Sequence, residues 1–459
     1  MADSERIKKG FSKLVKEEKL KLIAGYFENP GEVINLLKSY WHRDSKQQQL
    51  FDEFSENTIT NFYIPYGISP NVTINGKNYI VPMVIEESSV VAAASAAAKF
   101  WGERGGFHAE VVDVCKVGQV HFGWNGDKAK LMELLPAIKQ RFMDDTVAMT
   151  EKMVKRGGGI TNIQLIDFTD QIEDYYQFLV EFKTGDAMGA NFINSVLEQF
   201  GHSLQNFFAE QTELSEDLRK VEIIMTILSN NTPNCRVKVW VECDVNQLDG
   251  IDEHLSGAEY ARKFKKAVDI AHIDTYRATT HNKGIYNGID AVVIATGNDF
   301  RAVEAAGHTF ASRNGQYESL STVTINDNVF RFELEVPMAL GTVGGLTSLH
   351  PLAKKSLELL GNPTAPELMM IAATMGLANN FSAVRSLTTK GIQAGHMKMH
   401  LNNILNQLGA TDDEKRKARD YFKDQTVSFA GVEKFLESIR KRHIIILTAN
   451  FSLPANISY

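Results

Sequence analysis

GGGITNIQLIDFTDQIEDYYQFLVEFKTGDAMGANFINSVLEQF, residues 157–200, changes its hydrophobic period along its length. The triplet Gly157–Gly159 interrupts what precedes it. Ile163–Phe168 and Tyr176–Phe182 are rich in β-branched and aromatic residues and read as two strands. Asn191–Leu204 reads as a helix. Upstream, Val114–Phe122 reads as a strand, and Leu131, Leu134, Leu135, Ile138 and Phe142 recur at helical spacing. Downstream, Arg236–Cys243 reads as another strand. Two helices mixed with four strands predict a small α+β sandwich, a ferredoxin-like split βαβ unit inserted into a larger domain.

The flanks have a different texture. Residues 1–60 predict amphipathic helices, with Leu20, Leu22, Ile23, Val33, Leu36 and Leu37 as core positions. Ile7, Phe11, Leu14 and Val15 predict a surface helix at the start. Asn75-Gly76 between Val72–Ile74 and Tyr79–Val84 signals a hairpin. EESSVVAAASAAAKFW, residues 86–101, predicts a tightly packed helix with Ser88 or Ser89 as N-cap. Tyr260–Ile273, Phe300–Arg313, Pro351–Leu360 and Glu367–Ala378 read as helices. Phe330–Val336 reads as a strand with Phe330, Phe332, Leu334 and Val336 on one face.

From residue 393 the chain is polar and helical. From residue 443 it turns apolar again, as a terminal strand or an added tail without assigned role. The expected organisation is therefore a large helix-rich domain from 1–112 and 230–392, a small domain from 113–229, a C-terminal flap from 393–442 and a tail from 443–459.

The chain has 459 residues, enough for about three domains, and 44% of them are hydrophobic. The net charge of −7 argues against non-specific nucleic-acid binding. Cys115, Cys235 and Cys243 are odd in number and form no CxxC motif, which points to a reducing cytoplasm. The apolar run Val90–Ala98 is far shorter than the roughly 20 residues that span a bilayer. The charged N-terminus lacks a signal-peptide core. A soluble, cytoplasmic protein without membrane partners is expected.

No GxGxxG, GxxxxGK[ST] or HExxH occurs, so a Rossmann, P-loop or zincin site is not supported. His396 and His400 have a chelating spacing, yet no third ligand lies near them in sequence, and no metal is expected. Glu86 and Glu87 open a helix, where acids favour the dipole. Alternatively, one of them is partly buried and serves as a proton donor. DTYRATTHNKGIYNGID, residues 274–290, gathers Arg277, His281, Asn282, Lys283, Asn287 and Asp290 around Gly284 and Gly288, ahead of a strand-like run at Ala291–Ala295. That composition suits a binding cleft or a solvated loop. GDAMGAN, residues 185–191, precedes a helix whose free N–H groups can hold a phosphate or carboxylate, unless Asp186 or Asn191 merely caps it.

Taken together and in order, EESSVVAAAS (86–95), GDAMGAN (185–191), YRATTHNKGIYNGID (276–290), IATGND (294–299) and GIQAGHM (391–397) resemble the motifs of class II, bacterial-type 3-hydroxy-3-methylglutaryl-CoA (HMG-CoA) reductases. Two departures occur: ENVIG reads Glu56-Asn57-Thr58-Ile59-Thr60, and EEP reads Glu86-Glu87-Ser88. The resemblance implies reduction of HMG-CoA to mevalonate and free CoA with two nicotinamide hydrides. It implies Glu87 as proton donor, Lys283 as cation for the carbonyl oxygen, Asp299 as the residue orienting Lys283, and His396 as proton donor to the CoA thiolate. Arg277, Asn287 and Ser89 would grip the HMG portion. Asp186, Met188, Gly189 and Asn191 would bind the dinucleotide on a non-Rossmann, ferredoxin-like domain.

NADH-preferring relatives carry an acid shortly after the glycine triplet. Asn162 stands there, which favours NADPH while leaving NADH possible, and Lys152, Lys155 and Arg156 lie near in sequence. The resemblance also implies a homodimer with interfacial active sites and a mobile flap that delivers His396. The alternatives are another acyl-CoA enzyme or a non-catalytic CoA- or nucleotide-binding protein on the same scaffold. The intact set Glu87, Lys283, Asp299 and His396 argues against a pure binder.

Overall fold

Nine residues with alternating apolar character, Asn75-Gly76, then eight more give the first hairpin. β1 (Tyr66–Ile74) and β2 (Lys77–Val84) pair antiparallel with Ile74 opposite Lys77. Asn75 and Gly76 both take positive φ, 49° and 79°, as the tight hairpin turn requires. The computed structural model describes residues 10–389, 401–425 and 427–450. The chain separates into two units, one ending at Pro65 and one beginning at Tyr66.

The first unit holds α1 (Lys16–Ala24), α2 (Pro30–Ser39) and α3 (Ser45–Asp52). Its helices are too short to bury a continuous stripe. Leu20 is buried, whereas Leu22 and Leu36 are exposed and Ile23, Val33 and Leu37 half-buried. The surface helix expected at the start does not form over its described part. Gly10 sits at φ 110°, Phe11–Lys13 is a single 3₁₀ turn, and Val15 is extended at the N-cap of α1. Ile7 lies outside the described residues.

In the second unit, α4 (Val90–Gly102) follows the hairpin, and its alanines allow close packing. The segment expected as one strand over 114–122 is two. β3 (His108–Val114) and β4 (Lys116–Gly123) break at Cys115 and enter different sheets. From β4 the chain runs through α5 (Lys128–Val154), β5 (Gly159–Asp167), β6 (Tyr175–Lys183), α6 (Ala190–Ala209) and β7 (Glu222–Ser229). These strands form one antiparallel sheet in the order β5-β6-β4-β7. Its core stacks Phe142 of α5 on Phe200 of α6, with centroids 4.2 Å apart, and Phe142 edge-on against Phe178 of β6 at 5.1 Å. Each fully buried phenylalanine contributes about 1.5–3 kcal/mol relative to exposure.

The fourth strand of this sheet is β7, not the predicted Arg236–Cys243. β7 is an edge strand whose Ile224, Met225 and Ile227 stay exposed, so it shows no clean alternation. The predicted segment lies in β8 (Cys235–Asp244), which joins a second antiparallel sheet.

After β8 come α7 (Gly257–Ile273), α8 (Thr275–Ala295), α9 (Phe300–Ala311), β9 (Ser321–Asn326) and β10 (Val329–Pro337). The second sheet has the order β3-β8-β10-β9, and Phe330, Phe332, Leu334 and Val336 are fully buried on one of its faces, as predicted. α10 (Gly345–Leu349), α11 (Pro351–Leu359) and α12 (Ala365–Thr388) follow. α12 packs against α8 at contact distance. A Cβ on Gly288 would lie 2.1 Å from the Met375 carbonyl oxygen. The region that composition left open between loop and cleft is thus the regular helix α8, and Ala291–Ala295 is its last turn rather than a strand.

The C-terminal described residues form a helix over 401–407, α13 (Asp412–Tyr421) and α14 (Phe429–Asn450). Leu401, Leu405, Phe422, Val432 and Leu436 close a small core of their own. The backbone is helical through Asn450, so the described part of the apolar tail is not a strand.

Candidate active site

α8 sorts its polar residues by the 3.6-residue period. Arg277, Thr280, His281, Lys283, Gly284 and Asn287 face a cleft of about 800 Å³. Asn282 points the other way, is fully buried, and ties down the loop before β9 through the Glu318 carbonyl (2.9 Å) and the Leu320 amide (3.0 Å). Glu87 and Ser89, at the entry to α4, form the opposite wall with Asn379, Asn380 and Arg385 of α12. The structure therefore brings Glu87, Ser89, Arg277, Lys283 and Asn287 together in one cleft.

Lys283 donates from Nζ to Glu87 Oε2. Ser89 occupies the N-cap position of α4 but does not cap it. It is left-handed, with φ 80° and ψ −20°, and its hydroxyl makes no hydrogen bond among the described residues. A non-glycine residue there costs on the order of 1–3 kcal/mol.

Arg277 has no carboxylate within ion-pair distance among the described residues. Its Nη2 lies 3.4 Å from His281 Nδ1, and His281 Nε2 lies 2.6 Å from Ser321 Oγ, which donates to Asn380 Oδ1 at 2.8 Å. Burial, then the Arg277 charge, pushes His281 down to about 3. The imidazole is therefore neutral, and this donor order requires the Nε2–H tautomer. Burial also lowers the Arg277 guanidinium, which stays cationic. An unpaired, half-buried guanidinium held by a neutral relay is complementary to a ligand carboxylate.

Asp299 does not meet Lys283, contrary to the expected pairing. It caps α9, accepting from the amides of Arg301 (3.1 Å) and Ala302 (3.3 Å), and pairs with the Arg301 guanidinium at 3.1 Å. Burial opposes ionisation, but Arg301 and the two amides hold the carboxyl below its usual range. His396 and His400 lie outside the described residues.

The 185–191 turn leads from β6 into α6. Gly189 is its N-cap at φ 90° with no side-chain cap, which leaves the first amides of α6 free among the described residues. A Cβ on Gly189 would strike Thr184 at 2.5 Å. Asp186 caps neither end of α6. Its Oδ1 accepts from Ala365 N, at the start of α12, at 2.8 Å. The glycine triplet closes on the same sheet end: Gly159 pairs with Lys183, and a Cβ on Gly158 would lie 2.3 Å from the Lys183 carbonyl oxygen. Asn162 is exposed nearby on β5, paired with Glu181. Free helix amides beside two glycine-tight loops suit a phosphate-bearing ligand.

A sequence-family model described as hydroxymethylglutaryl-coenzyme A reductase matches residues 17–401. The chain is 36% identical over 440 residues to the 3-hydroxy-3-methylglutaryl-coenzyme A reductase of Archaeoglobus fulgidus, covering 94% of each. It is 32% identical over 414 residues to a probable reductase of the same name from Borreliella burgdorferi, covering 88% of this chain and 90% of the relative. This chain belongs to the hydroxymethylglutaryl-coenzyme A reductase family. It is an oxidoreductase that reduces HMG-CoA. Among solved structures, it is similar to the class II enzyme from Streptococcus pneumoniae bound to NADPH in open conformations. That match has TM-score 0.67 and 34% identity, and covers 92% of this chain and 99% of that one.

The sequence did not reveal what joins the two halves of this reductase-family site. Asn298, inside IATGND, accepts from the Gly341 amide at 2.8 Å. Gly341 presses on the 185–191 turn, where its Cβ would lie 2.4 Å from Met188 N. An Asn beside the Asp of that motif was the available signal. Arg301, Ser321 and Asn380, which hold Asp299 and the Arg277 relay, carried none.

Among the described residues no helix is long and apolar enough to cross a membrane.

Proposed function

We propose that the chain converts HMG-CoA to mevalonate and free CoA with two successive hydrides from NADPH. The observation that carries this is the cleft in which an unpaired Arg277 stands beside the Lys283–Glu87 pair. Arg277, with Asn287 and the free Ser89 hydroxyl, binds the carboxylate end of the HMG group. Lys283 then faces the thioester carbonyl and stabilises the oxygen as it gains negative charge. Glu87, already in contact with Lys283, delivers a proton to that oxygen after each reduction. It recovers one when the hemithioacetal collapses to the aldehyde. His396 protonates the departing thiolate, the role implied by the resemblance. Asp299, which the resemblance assigns to this site, is paired to Arg301 here and caps α9.

The hydride chemistry is that of the nicotinamide. The dinucleotide would be held by Met188, Gly189, Asn191 and the free amides of α6, with Asp186 bracing the turn. Asn162, Lys155 and Arg156 would accept the 2′-phosphate. The strand–helix–strand–strand–helix–strand order and the sheet order β5-β6-β4-β7 support a ferredoxin-like cofactor domain over 113–229 within a large domain from 1–112 and 230–392. The resemblance assigns residues 393–442 to the flap. A homodimer with interfacial sites fits the exposure of Tyr276, 89%, directly beside Arg277. Three buried, unbridged cysteines fit a reducing cytoplasm.

The test is absorbance of the nicotinamide with CoA thiol titrated alongside. Two NADPH oxidised per thiol released is expected. One per thiol, or none, overturns the reading. Asn162→Asp should shift preference towards NADH.

A further inference from the structure

Lys116 opens β4 and is 4% exposed, yet it has no carboxylate within ion-pair distance among the described residues. A buried ammonium normally finds an acid or surrenders its proton. Here Nζ donates to Thr184 Oγ1 at 2.5 Å and to the Ala187 carbonyl at 2.9 Å. Both acceptors belong to the turn that opens α6. Thr184 Oγ1 also donates to the Ala187 carbonyl at 2.7 Å, so the turn stays closed without Lys116. Among the described residues, the carboxylate that acts on Lys116 electrostatically is that of Asp186, and its Oδ1 is committed to the start of α12. A cavity of about 10 Å³ separates Lys116 from Ala302, Ala306 and Ala339, too small to admit any part of a dinucleotide. Both Nζ contacts of Lys116 are thus made to the turn itself. Lys116 places a positive charge against the turn that opens α6, in a low-dielectric setting where such a charge is felt strongly.

We propose that Lys116 is a positioning residue for the dinucleotide, a buried cation held against the 184–190 turn whose missing counter-charge is supplied by the phosphates bound at the start of α6. This rests on the reading of that turn as the cofactor site. The remaining titratable groups facing Lys116 are Cys115 and Cys235, and burial raises both thiols, so neither supplies a negative charge near neutrality. Burial also lowers the Lys116 ammonium itself. Its charge should be lost at a lower pH than that of a surface lysine.

The experiment titrates the full chain with NADPH, read by nucleotide fluorescence, and separately with HMG-CoA. Lys116→Met should raise the NADPH dissociation constant about tenfold, leave HMG-CoA binding unchanged, and hold or raise the melting temperature. NADPH affinity equal to that of the unsubstituted chain overturns the proposal. Asn191→Ala separates the two layers of the argument. If it weakens NADPH while K116M does not, only the role of Lys116 fails. If neither variant weakens NADPH, the cofactor site itself is misplaced. Should K116M not fold, the unsubstituted chain still decides. Its NADPH dissociation constant should climb with rising pH before surface lysines begin to lose their charge, and a flat profile overturns the proposal.

Discussion

Lys283 and Glu87 are separated by 196 positions in the chain, and α8 and the entry to α4 bring ammonium and carboxylate into direct contact inside the cleft. The cation that must meet a developing oxyanion is thus stored against the group that must give the oxyanion its proton. Both side chains keep contact with solvent, 59% and 40% exposed, so a ligand carbonyl can enter between them. Lys283→Ala should lower turnover at least about 10²–10³-fold, the cost of one preorganised oxyanion partner. NADPH binding should survive, because the 185–191 turn is built from other elements. Steady-state kinetics with a parallel NADPH titration checks both halves. Near-normal turnover by the variant would remove Lys283 from the chemistry.

Asp299 carries two duties that two substitutions can separate. As N-cap of α9 it can be replaced by Asn at little cost, whereas Ala should cost about 1 kcal/mol. Asp299→Asn should therefore melt only slightly below the unsubstituted chain, by the small contribution of the exposed Arg301 pair, and still lose turnover, about 10²-fold if its charge serves proton transfer. Asp299→Ala should lose both. Because the fold holds this carboxyl below its usual range, its stabilising effect is present above about pH 4 and fades as acid titrates it in the fold. Equal turnover in the Asn variant and the unsubstituted chain would make Asp299 a structural cap only.

Much of this arrangement could be read from the sequence, for reasons that differ by element. β10 alternates because one face is core, and Asn75-Gly76 signals its own turn. The division of 114–122 into β3 and β4 was hidden, because nothing in the residues around Cys115 marks a change of sheet. β7 was hidden because an edge strand need not alternate. The cleft was visible as composition, yet its helix was not, since Gly284 and Gly288 weaken a helical reading that α12 restores by packing on Gly288, while Gly284 faces the cleft. The Asp186 contact with α12 spans two distant motifs, and no local pattern encodes it.

Asp290 gives the fold a pH dependence of known sign. It sits on α8 facing Glu304 of α9, beside the buried Tyr286 hydroxyl, and its Oδ1 is buried without a hydrogen-bond donor. Burial, then the Glu304 charge, raises it to about 8. The protonated form is the one the fold accepts, so stability is full below about pH 4 and declines as pH rises through 8. The melting temperature should fall between pH 6 and pH 9 in the unsubstituted chain. Asp290→Asn should flatten that fall, because the amide keeps the shape and cannot ionise. A variant that still shows the same decline would place its origin elsewhere.

Ser89 offers the sharpest separation of stability from function. Its backbone is left-handed, a conformation that glycine adopts freely and that alanine and serine resist equally. Ser89→Gly should therefore stabilise the chain by about 0.5–1 kcal/mol, and Ser89→Ala should leave stability nearly unchanged. Both remove a hydroxyl that has no partner among the described residues. If that hydroxyl binds substrate, both variants should raise the KM for HMG-CoA by a similar factor, about tenfold for one lost hydrogen bond to a charged group. Thermal unfolding and HMG-CoA saturation curves on the two proteins would then diverge: stability follows the backbone and KM follows the hydroxyl. If KM instead tracked stability, Ser89 would act through the turn it shapes, and substrate recognition at this wall of the cleft would fall to Asn287 and Arg277.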